Sequence, residues 1–315
     1  VLGQTLYFLG ELASAREHLE QSIALYGPQQ YRSLAWAGAH PGVQCLGYAA
    51  LVLWHLGYPD QSLKRSHEAL TLAQELSHPF SLAYALASAA WLHQYRREGQ
   101  SSQEQAEAVI ALSVEQGFPF WSALGTIVRG WALAEQGQAE EGIRQMRQGM
   151  AAYWATGAEM FRPWFLTLLA EAYGKVGQAE EGLSVLAEAL AQVDKTGERY
   201  WEAELYRLKG ELRLAQSSVQ GLGSRVKTGL GSSVQRLESE AEECFLKAIE
   251  ISRHQQAKSL ELRAVMSLSR LWQQQGKKDE ARQMLAEIYG WFTEGFDTKD
   301  LQEAKVLLDG LGSSV

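Results

Sequence analysis

Residues 168–190, LLAEAYGKVGQAEEGLSVLAEAL, decide the reading of the whole chain. Leu168, Leu169 and Ala172 recur at spacings of three and four, and so do Leu183, Leu186 and Leu190, which is the period of a helix with one apolar face, met twice. Between the two runs stands Gly177, a helix stop, followed by Glu180 and Glu181, whose charge complements the dipole at the start of a second helix. The stretch therefore reads as a helix, a turn and a helix. Its wording returns 40 residues earlier as RGWALAEQGQAEEGI around Gly137.

The same interval runs through the chain. Gly117, Gly157 and Gly197 lie 40 apart, with Ser77 extending the series backwards; Gly57, Gly137 and Gly177 form a second series, with Arg97 and the nearby Gly99 filling its gap. Pro59, Pro79, Pro119 and Pro163 stand at first helical turns. From Gly197 to Ala257 the interval is 60, as if one unit carried about 20 extra residues, and Gly276 and Gly295 close the last unit. Ala90, Gly130, Ala170 and Gly210 form a column of small residues where paired helices would approach closely. Leu169, Ala170, Tyr173, Gly177, Gly182, Leu186 and Ala189, together with Ala241, Phe245 and Ala248, resemble the tetratricopeptide pattern, lengthened from its usual spacing by longer helices.

These spacings predict an all-α, right-handed α-solenoid of about seven tetratricopeptide-like pairs over residues 1–309. It would have a truncated first helix at 1–9, a Gly/Ser-rich loop at 217–236, a capping helix at 298–309 and a tail at 310–315. No stretch alternates apolar and polar residues long enough to predict a strand.

The chain has 315 residues and a formal net charge of −8, with 46% hydrophobic residues including 10 Trp and 12 Tyr, enough to build a core. No run is long and apolar enough to predict a membrane span, so no membrane partner is expected. Cys45 and Cys244, far apart in sequence, suggest no disulfide framework, and a reducing, cytoplasmic setting is expected. The acidic balance argues against nucleic acid as a partner. The chain opens on Val1 with no signal-peptide pattern and is expected to be part of a longer protein.

Chemistry is sparse. Residues 221–228, GLGSRVKT, miss the phosphate-binding pattern by one position, because Val226 replaces the second glycine and resists the required backbone angles. The seven histidines show no HExxH and no acidic partner at ligand spacing; His78, ahead of Pro79, is expected to hydrogen-bond in a turn. No catalytic constellation, metal site or cofactor is predicted. What remains is a groove. The free faces of the first helices would carry Tyr84, Trp91 and Tyr95, then Leu124, Ile127 and Trp131, then Trp164, Thr167 and Glu171, then Glu204, Arg207 and Glu211. Exposed aromatics with a few charges are what a protein or peptide hot spot uses, and packing between helices is the alternative for each.

The stretches LWHLGYPDQSL, HPFSLA, TGERYWEAELYRLKGEL, AKSLELRA and YGWFTEGFDTKDLQEAKVLLD resemble the carboxy-terminal repeat region of large bacterial signalling proteins. In those proteins a class III nucleotide cyclase or a protein kinase precedes a STAND-type ATPase module and then a helical array. The resemblance covers residues 41–309 and implies a non-catalytic sensor and protein-interaction arm, whose partner would be a protein or peptide, including the upstream module of the same chain. A constitutive scaffold and a pocket for a small peptide or metabolite are the alternatives.

Overall fold

The computed structural model describes residues 1–25, 38–223 and 231–312. Their fifteen helices fall into two compact units, Val1–Phe161 and Arg162–Val315. The first unit pairs α1 (Leu2–Phe8) with α2 (Leu12–Ala24), α3 (Pro41–His55) with α4 (Pro59–Glu75), α5 (Pro79–Tyr95) with α6 (Gly99–Gln116), and α7 (Pro119–Glu135) with α8 (Ala139–Ala155). The second pairs α9 (Arg162–Lys175) with α10 (Ala179–Thr196), α11 (Glu202–Gly223) with α12 (Gly231–His254), and α13 (Lys258–Gln274) with α14 (Lys278–Trp291), and adds α15 (Lys299–Gly312). Within each unit the first helix of a pair packs on the first helix of the next, while the second helix packs on its own partner and on the following first helix. No strand occurs among the described residues. The fold class is the expected one, seven pairs and a further helix.

The pairs close where side chains are smallest. Gly130 in α7 and Gly142 in α8 meet backbone to backbone, so that a Cβ on Gly142 would overlap the Gly130 carbonyl oxygen. One and two repeats upstream the same position is serine, and its hydroxyl donates across the contact: Ser102 Oγ to the Ala90 carbonyl at 3.0 Å and Ser62 Oγ to the Ala50 carbonyl at 2.6 Å. Ser269 on α13 donates to the Ala281 carbonyl on α14 at 3.3 Å, with the roles of the two helices exchanged.

Most pairs also turn through a left-handed residue. Gly57, Gly137, Gly177 and Gly276 take φ between 74 and 88°, and Arg97, not Gly99, takes the turn of its repeat at φ 60°. Ser77 at φ 49° and Gln256 at φ 57° do the same in the half-period series of Gly117, Gly157 and Gly197. Histidines cap the N-termini of two of the proline-led helices, α3 and α5. His40 Nδ1 accepts from the Gly42 N–H at 3.2 Å, and His78 Nδ1 accepts from the Ser81 N–H at 3.3 Å, as expected of His78 in its turn.

The expected loop at 217–236 is corrected. Helix α11 continues to Gly223 and α12 begins at Gly231, so residues 217–223 and 231–236 are helical. Their glycines and serines are poor helix formers, but a helix already nucleated and packed on a partner extends at low cost, and Ser217 is buried, as is Leu237 just after the second stretch. Residues 224–228 of the near-phosphate-loop pattern, with Arg225, Val226 and Lys227, lie outside the described residues. Helix α15 likewise runs beyond the expected end at 309 to Gly312.

Left-handed φ costs a residue with a Cβ about 1–2 kcal/mol. Ser77→Gly, at an exposed turn, should therefore raise stability by up to about 1 kcal/mol, and Gly137→Ala should lower it by about 1–2 kcal/mol. Thermal unfolding of the two variants checks both signs.

Candidate ligand-binding surface

The aromatic half of the expected groove is interior. Tyr84, Trp91, Tyr95, Ile127 and Trp131 are none of them more than 7% exposed. Tyr95 shares a buried hydrogen bond with Tyr7, hydroxyl to hydroxyl at 2.9 Å, and its ring lies 4.8 Å from that of Trp54 and 5.9 Å from that of Trp91. Trp91 packs edge-on against Phe161 at 4.9 Å. The Tyr84 hydroxyl donates to the Gln44 carbonyl at 3.2 Å, and its ring lies over Gly47, where a Cβ would come within 2.9 Å of it. Because α1, α3, α5 and α7 touch one another in succession, the face read as free is largely the seam between neighbouring first helices, and large rings fill it. Leu124 is buried in the same way, as are Trp164 and Thr167 in the second unit.

The charged half of the expected site is brought together. On α11, Arg207 donates Nε and Nη2 to the two carboxylate oxygens of Glu204 at 2.9 and 2.7 Å, and its Nη1 lies 3.5 Å from Glu211. Three residues that the sequence reading missed complete the group. Ser267 on α13 donates to Glu211 at 2.6 Å; Arg263, also on α13, lies 3.8 Å from Glu204 and donates to Asp300 on α15 at 2.7 Å. Ser267 stands 60 residues after Arg207, the interval that also separates Gly197 from Ala257. Burial pushes the Glu204 carboxyl up, but the guanidinium groups of Arg207 and Arg263 more than offset this and hold it below its ordinary value. Burial likewise opposes the charge on Arg207, and Glu204 reverses the effect and raises its pKa. Glu171 on α9 is half-buried, 3.9 Å from Lys175.

Among the described residues no group of three or more His, Cys, Asp or Glu is placed to hold a metal ion, and no helix is long and apolar enough to cross a membrane. A surface cavity of about 630 Å³ runs along α4, past Leu63, His67, Thr71 and Leu72.

Over 98% of its length the chain superposes on 78% of a Rap protein complexed with competence and sporulation factor, with a TM-score of 0.63 and 14% identity. The fold is that of tetratricopeptide-type helical repeats. A STAND protein with a tetratricopeptide repeat sensor from Pyrococcus horikoshii is similar at a TM-score of 0.43 and 13% identity, over 95% of this chain and 41% of that one. An uncharacterized protein of Rhizobium meliloti is 26% identical over 207 residues, 65% of this chain but 20% of the relative's own length. No family model matches. The exclusion of nucleic acid expected from the acidic charge finds no support in these comparisons.

Trp131, only 1% exposed, should behave as core. Trp131→Ala is expected to cost about 3–5 kcal/mol, whereas Glu211→Ala, at a side chain 38% exposed, should cost about 1 kcal/mol or less. Denaturant unfolding of the two variants separates a packing position from a surface one.

Proposed function

We propose that the chain is a non-catalytic protein- or peptide-interaction and sensor arm of a larger bacterial signalling protein, and that it binds through the inner face formed by the first helices. The observation that carries the reading is the charged group on that face in the second unit. Arg207 is held rigid by Glu204, and Glu211 has one carboxylate oxygen fixed by Ser267 while its side chain stays partly exposed. Groups held in this way lose little freedom on binding and so favour a specific contact. The contact residues of this reading are Glu171, Arg207 and Glu211, with Glu204 behind them. Trp164 of the same unit is buried, and Tyr84, Trp91, Tyr95, Ile127 and Trp131 are buried core positions of the first unit.

Support also comes from the structural likeness to a Rap protein complexed with competence and sporulation factor, and from the resemblance of residues 41–309 to the arrays that follow STAND-type ATPase modules. In that setting the upstream ATPase or cyclase module is itself a partner, and occupancy of the inner face biases it between resting and active states. A reducing cytoplasm suits Cys45 and Cys244, which are free thiols raised in pKa by burial.

The test is the ATPase or cyclase output of the longer protein. Glu171→Lys with Glu211→Lys should change the output or its response to stimulus while leaving the melting temperature within a few degrees of wild type. Output and response that survive both this change and deletion of the array identify a passive scaffold instead.

A further inference from the structure

Among the described residues, Ser77, Arg97, Phe161 and Gln256 carry a side chain at positive φ. Three of them make turns of the repeat, Ser77 and Gln256 in the half-period series and Arg97 in the turn of its own pair. Phe161 belongs to neither series. The chain between α8 and α9 already reverses through Gly157 at φ 82°, so the φ of 66° at Phe161 is a second left-handed residue that the turn does not require. For a bulky side chain this backbone is an outlier, and such strain persists only where the surrounding contacts enforce it. The local chain path also departs from the repeat. Helices α5 and α7 begin 40 residues apart, at Pro79 and Pro119, whereas α9 begins at Arg162, three residues later than that interval would place it. Residues 156–161 are thereby left outside any helix.

What the strained backbone holds in place is a ring. Phe161 is 5% exposed. Its ring lies 4.9 Å from that of Trp91 on α5, edge-on, 5.6 Å from that of Phe8 at the end of α1, and 6.5 Å from that of Tyr153 on α8. Three pairs of the first unit thus contribute one ring each to a seat that a non-helical piece of chain fills. Phe8 is only half-buried, and Met160, beside the occupant, is 43% exposed, so the seat has an edge that solvent reaches. Tilted and edge-on contacts of this kind suit an aromatic ring. We propose that this seat is a binding site for an aromatic side chain of an extended peptide, and that Phe161 is its internal occupant, displaced when the peptide binds. Ring replaces ring, so the aromatic contacts are remade while the left-handed strain at Phe161 is relieved. Resident and incoming side chains compete, so the peptide's affinity is reduced by the fraction of time that Phe161 spends in the seat. The seat lies within the first unit and does not rest on the charged group of the second.

Fluorescence anisotropy of a labelled peptide GAEMFR, the chain's own residues 157–162, tests the proposal on the full chain. Phe161→Ala should bind this peptide at least tenfold more tightly than the wild type does, and a peptide with alanine in place of the phenylalanine should bind neither protein. Phe161→Leu keeps an apolar filling and should bind at least threefold more tightly than wild type, which decides the matter if the alanine variant does not fold. Adding Phe8→Ala to either variant should weaken binding at least tenfold. On the wild type, saturating peptide should speed hydrogen exchange of residues 156–161 at least tenfold, which occupancy of a site elsewhere would not do. Equal affinities of wild type and variants, binding that does not need the phenylalanine, a wild type that binds nothing at millimolar peptide, or unchanged exchange in the link once peptide is bound overturns the proposal. So does failure of both Phe161 variants to fold, which would make Phe161 an ordinary core residue.

Discussion

The contact on which the architecture depends is the approach of two paired helices to backbone distance, at one position per repeat. Ala50 faces Ser62, Ala90 faces Ser102 and Gly130 faces Gly142, and the serine hydroxyls reach the opposing carbonyl oxygens. A helix ridge packs into its partner's groove at a separation set by the side chains at the crossing. With methyl groups, hydrogens or a single hydroxyl at the crossing, each pair closes tightly and presents nearly the same face to the next. Larger rings then fill the space between pairs. Gly210 shows the same constraint with a different filling, since a Cβ there would strike the ring of Phe245.

Given similar pairs, repetition follows. A unit that cannot bury both faces of its helices alone must stack, and the seam between stacked first helices becomes buried. In the first unit that seam holds Tyr7, Trp54, Trp91 and Tyr95 in mutual ring contact. In the second unit the corresponding layer is ionic, built on Glu204, Arg207 and Arg263. Apolar packing is tolerant of which ring lies where. An ionic layer is not, because each charge needs its particular partner, and this is why the second unit carries the candidate surface.

Periodicity made the helices legible. The first helical turns expected at Pro59, Pro79, Pro119 and Pro163 open α4, α5, α7 and α9. The small-residue column was legible for the same reason, since a hydrogen or methyl side chain recurring every 40 residues marks where two backbones meet. Exposure was not legible. Trp91 and Trp131 lie on the face of their helices that looks away from the partner helix, and a single pair read alone cannot show that the neighbouring pair covers that face. Nor did the low helix propensity of residues 217–223 and 231–236 foretell that α11 and α12 continue through them, because packing against a partner outweighs local preference. Arg263 and Asp300 escaped notice because their role arises from three helices meeting, which no spacing along one helix encodes.

Thermal unfolding of a leucine series along the close-approach column tests most directly whether small residues set the spacing of the paired helices. Leucine is placed singly at 50, 90, 130, 170 and 210, with leucine at the exposed positions Glu140 and Glu181 as controls. Every column variant is predicted to lose at least several degrees of melting temperature or fail to fold, while both controls stay near wild type. Column variants that melt with the wild type would contradict this, since the helices of a pair would then be held at a distance that small residues do not set.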